Sequence, residues 1–206
     1  MAIGLFITAV GTTLLAANLR ENRSLLLEAR LMQDLRTASD LIARDLRRAG
    51  YWGAAASGIG ATGGTGASTN PYAALSPASS ASDAASFRYS RDATENNLAD
   101  SNEQFGFRLR QGAIELQLGA GNWQALTDTG TLIVTTFRLT PTVLHADLEA
   151  VCATACAAGS TCPLHQDVRL FDLLISGRSV ADASVTRSVR GSVRLRNDVL
   201  VGACPG

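Results

Sequence analysis

The chain has 206 residues, 46% of them hydrophobic, enough to form one domain beyond any terminal helix. Basic and acidic side chains number 18 each and cancel to a net charge of zero, so bulk electrostatics favours neither nucleic acid nor an acidic substrate as a partner. Every cation is Arg and aromatics reach only 5%, so the core must be built mainly from Leu, Val, Ile and Ala.

The run Met1 to Ala17 is uncharged, and the first ionised side chain after it is Arg20. Four interpretations of this run are open. A secretory signal peptide needs a basic start; none precedes Ile3, although Ala16-Ala17-Asn18 offers a loose cleavage site. A complete membrane span needs about 20 apolar residues, slightly more than the run holds. A span that begins upstream of Met1 removes that shortfall. A buried core helix would need an apolar partner on every side. A span, complete or continued upstream, fits best.

No Pro interrupts the passage into a charged pattern. Leu27, Leu31, Leu35, Ala38, Ile42, Leu46 and Ala49 step by four, four, three, four, four and three, which lays one apolar stripe along a helix. Glu28, Arg30, Asp34, Arg36, Asp40, Arg44, Arg47 and Arg48 make the opposite, solvated face. Gly50 is a C-terminal stop. The result is one helix on the order of 75 Å long, apolar over 1–24 and amphipathic over 25–53. A small domain cannot wrap a rod of that length, so the charge-free end must lie in lipid or in a protein core.

Residues 54–86 are dominated by Ala, Gly and Ser, with Pro71 and Pro77 as stiffeners. That composition buries little and predicts a surface loop, pinned to the domain at Tyr72 and Leu75. From residue 87 to 206 the apolar period becomes two. Phe87-Arg-Tyr89, Phe105 to Leu109, Ala113 to Leu118 and Asn122 to Leu126 predict an antiparallel meander. Thr131 to Leu139 is a β-branched strand that Pro141 should close, and Val168 to Ile175 is a strand that Ser176-Gly177 should end. Arg187 to Arg196 is expected to turn Val and Leu inward and Arg outward. Six or seven strands then form one sheet, covered by the helical stripe: an α+β fold.

A cysteine-bearing insertion spans about 141–167 and holds Cys152, Cys156 and Cys162, while Cys204 lies near the end of the chain. Four cysteines on an exported domain point to two disulfides, with three possible connectivities. The three clustered cysteines can close one bridge among themselves, so one of them should reach Cys204. Zinc held by Cys152, Cys156, Cys162 and His165 is the sharper alternative, but the Cys162–His165 spacing matches no established zinc pattern. His145 and His165 flank the insertion and read as surface residues. The run Asp92 to Glu103 has oxygen ligands of the kind calcium takes, yet lacks EF-hand spacing and reads as a solvated loop. Gly60 to Gly66 sits in low-complexity chain and is no phosphate loop. No nucleophile–base arrangement is visible and two histidines leave little acid–base capacity, so neither an enzyme, a cofactor nor a metal site is expected. Arg187, Arg190, Arg194 and Arg196 could form a basic stripe, but an ordinary wet sheet face accounts for them.

Three stretches carry a more specific likeness. Met1-Ala-Ile-Gly-Leu-Phe, the run Leu41 to Gly53 with its Arg-Asp-Leu-Arg-Arg-Ala-Gly-Tyr, and the closing Val193-Arg-Leu-Arg-Asn197 resemble the PilW-type minor pilins of type IV pili. Val168 to Ser179 resembles the penultimate strand of that family. The resemblance implies a pilin-like fold, in which the C-terminal half of a long helix packs on an antiparallel sheet. It implies a subunit held in the inner membrane with a periplasmic domain, then raised into an extracellular pilus. There it would join other minor pilins and the major pilin in a priming tip complex, with an adhesin as a further partner and no nucleic acid. On this view Leu5, Phe6, Leu14 and Leu15 pack the helix in membrane or filament, while Leu31, Leu35, Ile42 and Leu46 anchor the sheet. The prepilin-peptidase signal of the family, Gly followed by Phe-Thr-Leu-Val-Glu-Leu, is expected upstream of Met1. A type II secretion pseudopilin and a membrane-anchored binding domain share the same logic and stay open as alternatives.

Overall fold

The computed structural model describes residues 2–58, 69–157, 164–202 and 204, with side chains from residue 11 onward. A single helix, α1 (Ala2–Leu46), runs for 45 residues, or about 68 Å at the usual rise. Its apolar stripe is buried from Leu31 through Leu35, Ala38, Ile42 and Leu46 to Ala49. Arg30, Arg36, Asp40, Arg44, Arg47 and Arg48 are exposed as the pattern predicts, whereas Glu28 and Asp34 are half-buried at the edge of the interface.

Among the described residues nine strands follow, all antiparallel, in two sheets where the sequence suggested one. The first adds β1 (Leu75–Ser76), from the tract expected to be loop, to the expected meander of β2 (Ala84–Arg88), β3 (Gln104–Arg110), β4 (Ala113–Leu118) and β5 (Trp123–Ala125), paired in that order. The second holds β6 (Leu132–Asp147), β7 (His165–Ser179) and β8 (Thr186–Arg194), with β9 (Val199–Val201) pairing the start of β7. Alternation tells which side chains face inward but not where a sheet is broken, and the break falls at the Asp128–Gly130 turn before β6. Ser82 and Leu139 stitch the sheets together by exchanging backbone hydrogen bonds of 2.9 and 2.8 Å.

Two expected strand ends are wrong. Pro141 does not close β6, which continues to Asp147 with Pro141 in register with Phe171; β6 is an edge strand of its sheet, where a missing N–H is tolerated. Gly177 does not end β7, which runs on to Ser179. A Cβ at Gly177 would lie 3.1 Å from Leu132 Cδ1 and 3.2 Å from the Ile133 carbonyl oxygen, so this glycine leaves room for β6 beside it, with Leu35 Cδ2 of the helix next at 3.4 Å.

The stripe of α1 packs on β7 and β8. Behind it Phe87, Phe105, Phe107, Phe137 and Phe171 join the Leu, Ile and Val side chains in one continuous core. Within the Ala/Gly/Ser tract, β1 and the start of β2 are sheet, and Tyr72 is fully buried.

Candidate assembly interface

The helix divides into a bare part and a covered part. Every residue from Gly11 to Arg23 is exposed on all sides, a stretch in which Leu14 and Leu15 are each 61% exposed. Leu19, Leu25 and Leu26 are exposed as well, Leu26 at 71%. At 100° per residue these five leucines fall within an arc of about 140°, and its centre lies roughly opposite the stripe that contacts the sheet. The helix therefore has two apolar faces, one spent on its own domain and one pointing away from it. Burying what remains exposed would release about 1–2 kcal/mol per leucine before the costs of association. Exposed patches of this kind mark interaction sites. The side chains of Leu5 and Phe6 lie outside the described residues.

The junction between helix and domain is held from the far end of the chain. Gly50 adopts φ +76° and donates its N–H to the Arg88 carbonyl at 2.8 Å. Asn197 donates to the helix-end carbonyls of Ala49 and Arg48 at 3.0 and 3.3 Å, and the Arg196 N–H reaches the Arg47 carbonyl at 3.2 Å. Asn70 donates to the Gly50 carbonyl at 2.9 Å. Carbonyls that a helix leaves without internal partners are thus satisfied by side chain and backbone from elsewhere. This arrangement gives a physical reason for Arg-Ala-Gly-Tyr and Arg-Leu-Arg-Asn to occur in one chain. Arg169 extends the junction, donating to the carbonyls of Ala73 and Asn197 at 3.3 and 2.9 Å.

Beyond Gly50, Trp52 Nε1 donates to Asn97 Oδ1 and the Gly53 N–H to Glu95 Oε2, both at 2.9 Å. The Tyr72 hydroxyl lies 2.9 Å from both Glu95 Oε1 and the Leu98 carbonyl. Burial, reinforced by the nearby carboxylates, pushes the Tyr72 phenol well above its ordinary range. Burial also works to raise Glu95, but hydrogen bonds from Ser90, the Asn97 N–H, Tyr72 and the Gly53 N–H outweigh it and hold the carboxyl low. The run Asp92 to Glu103 is mostly exposed, as a solvated loop should be, but it is fastened at Glu95 and Glu103. Its fully buried Glu103 accepts from the Arg91 and Asp100 N–H groups at 2.7 and 2.9 Å.

Among the cysteines, Cys152 is bonded to Cys204 across 52 residues, and Cys156 is disulfide-bonded too. Cys162 lies outside the described residues. A thiolate zinc set that includes Cys152 is therefore excluded. The arginine stripe is also corrected: Arg187 is on the inward side of β8 and pairs with Glu28 of the helix, while Arg194 pairs with Asp198 at 2.9 Å. All four were expected outside, but strict alternation from Val189 and Val193 puts Arg187 on their own face, while Arg190 and Arg194 fall on the exposed side. Leu31, Leu35, Ile42 and Leu46 lie together under the helix, in the core. The outward leucine face was not singled out from sequence beyond Leu14 and Leu15, although the helical positions of Leu19, Leu25 and Leu26 carry that signal.

A long N-terminal helix, half bare and half covered by antiparallel sheets, defines a pilin-like protein. The chain belongs to the family of prepilin peptidase-dependent protein B, whose family model matches residues 24–195. It is thus a protein related to type IV pili or pseudopili. No curated protein and no solved structure matches it significantly. Among the described residues no helix is long and apolar enough to cross a membrane.

Proposed function

We propose that the protein is a PilW-type minor pilin that helps to prime type IV pilus assembly, as a non-catalytic subunit of a tip complex. The observation that carries this reading is the leucine face of α1 turned away from its own sheet. A surface of that kind is satisfied by lipid before assembly and by neighbouring helices afterwards. Its partners are then other minor pilins and the major pilin, with an adhesin as cargo. The subunit waits in the inner membrane with its domain in the periplasm and ends in the extracellular pilus.

The test is complementation of a deletion strain with Leu15→Gln/Leu26→Gln. Both positions are exposed, so the domain should melt like wild type while surface pili fall toward the level of the deletion. Full piliation by the double variant would overturn the proposal. Normal pili with lost protein secretion would assign the subunit to a type II secretion pseudopilus instead.

A further inference from the structure

Counting back by twos from the inward Phe171 along β7 reaches Arg169, Asp167 and His165; counting forward from Leu139 along β6 reaches His145. The inner face of this strand pair therefore runs beyond the apolar core and ends in two imidazoles and a carboxylate. Register brings them together, because His145 stands directly opposite Asp167 and His165 is two residues away on the same face. His145 Nδ1 is 2.6 Å from Asp167 Oδ1 and His165 Nε2 is 3.4 Å from the same oxygen. The imidazole rings meet edge to face with centroids 5.2 Å apart. One ligand atom from each of the three residues falls within 4.8 Å of the other two.

We propose that His145, His165 and Asp167 form a binding site for a divalent transition-metal ion of the zinc type. Zinc–nitrogen and zinc–oxygen bonds of about 2.0–2.1 Å set neighbouring ligand atoms of a tetrahedron about 3.3 Å apart. His165 and Asp167 already stand at that separation. The His145–Asp167 pair must open by about 0.7 Å to reach the same spacing. The His145 side chain is 64% exposed and free of the core, so a small rotation supplies the movement.

The backbone beneath these ligands is fixed. His165 is flanked by β6 on one side and by Val201 of β9 on the other. Just beyond, the Leu148 N–H donates to the Leu164 carbonyl at 2.9 Å and closes the base of the cysteine-bearing loop. The nearest cation along the same face, Arg169, directs two N–H groups at the carbonyls of Ala73 and Asn197. Two imidazoles and one carboxylate suit zinc, nickel or cobalt better than calcium or magnesium, which prefer sets made only of oxygen. Three protein ligands leave a coordination position for water or for a donor from a neighbouring subunit.

The test is calorimetric titration of the full chain in detergent with zinc chloride, without reductant so that the Cys152–Cys204 bridge stays closed. One zinc per chain is expected. His145→Ala, His165→Ala and Asp167→Asn should each weaken binding by at least about tenfold, the least that loss of even a supporting residue produces. No uptake by wild type at millimolar zinc, or unchanged affinity in the variants, would refute the site. X-ray absorption on the zinc-loaded wild type decides the case even if a variant fails to fold. Two imidazoles with only nitrogen and oxygen at about 2.0–2.1 Å support the assignment, and a sulfur neighbour overturns it.

Discussion

Leu35→Ala puts the helix–sheet junction to the hardest test. Leu35 is fully buried, and its Cδ2 lies against the backbone of β7 at Gly177. Removing three carbons forfeits about 2.4 kcal/mol of transfer free energy at about 0.8 kcal/mol each. The void left behind is bordered by sheet backbone, which cannot slide inward without breaking the pairing of β6 with β7. The cavity therefore persists and lifts the total to about 4 kcal/mol. For a chain of this size each kcal/mol lowers the melting temperature by about 2–4 °C, so the variant should melt about 8–16 °C below wild type. The assay is a thermal scan by circular dichroism of the full chain in detergent, with Leu15→Ala as internal comparison. Leu15 is on the same helix but 61% exposed, and its truncation should stay within about 0.5 kcal/mol of wild type. Equal shifts for the two variants would refute the division of the helix into a bare and a covered part.

Other consequences are measurable in the same scans. Asn197→Ala removes the side-chain donor to the Ala49 carbonyl and the second donor to the Arg48 carbonyl, which keeps the Tyr51 N–H, and should cost about 1–2 kcal/mol; Asn197→Asp should cost more, since it adds an anion where the helix end is already negative. Gly50→Ala forces a side chain into φ +76° and should cost about 1–2 kcal/mol. Replacing Cys152 and Cys204 together by Ser opens a loop of 52 residues and should cost up to about 4 kcal/mol, measured as a lower denaturant midpoint. The held-down carboxyl of Glu95 stabilises the fold above its ordinary value of 4.5 and ceases to do so as pH falls through its lower folded value. The raised phenol of Tyr72 has the opposite sense, with stability present below 10.0 and lost as pH climbs past it. Glu95→Gln should flatten the acid limb of a stability–pH profile and Tyr72→Phe the alkaline limb. Unchanged limbs would remove both side chains from the account.

The stripe from Leu27 to Ala49 is legible because a helix presents its faces at fixed angles, and every spacing in that run agrees with the same face. Gly50 is legible for a similar reason, since a left-handed residue at a helix end favours glycine. Pairing is another matter. Alternation in β2 through β5 identifies inward residues such as Phe87, Phe105 and Phe107, but says nothing of where β6 parts company with β5. Pro141 and Gly177 misled because local propensity yields to tertiary context, in one case an edge strand and in the other a neighbouring strand that crowds the position. The bond between Cys152 and Cys204 could not be read off, since three connectivities satisfy the same spacing. The cluster of His145, His165 and Asp167 was hidden by the nineteen residues between the two histidines and appears only once the register of β6 on β7 is known.

The contact between Asn197 and Ala49 joins residues 148 positions apart. A growing polypeptide finishes its helix early, yet the donor for that helix end emerges 148 residues later. Without Asn197 the Ala49 carbonyl has no side-chain donor from that strand end. The closing of the helix end is thus tied to the folding of the last strands and cannot be completed by the helix alone.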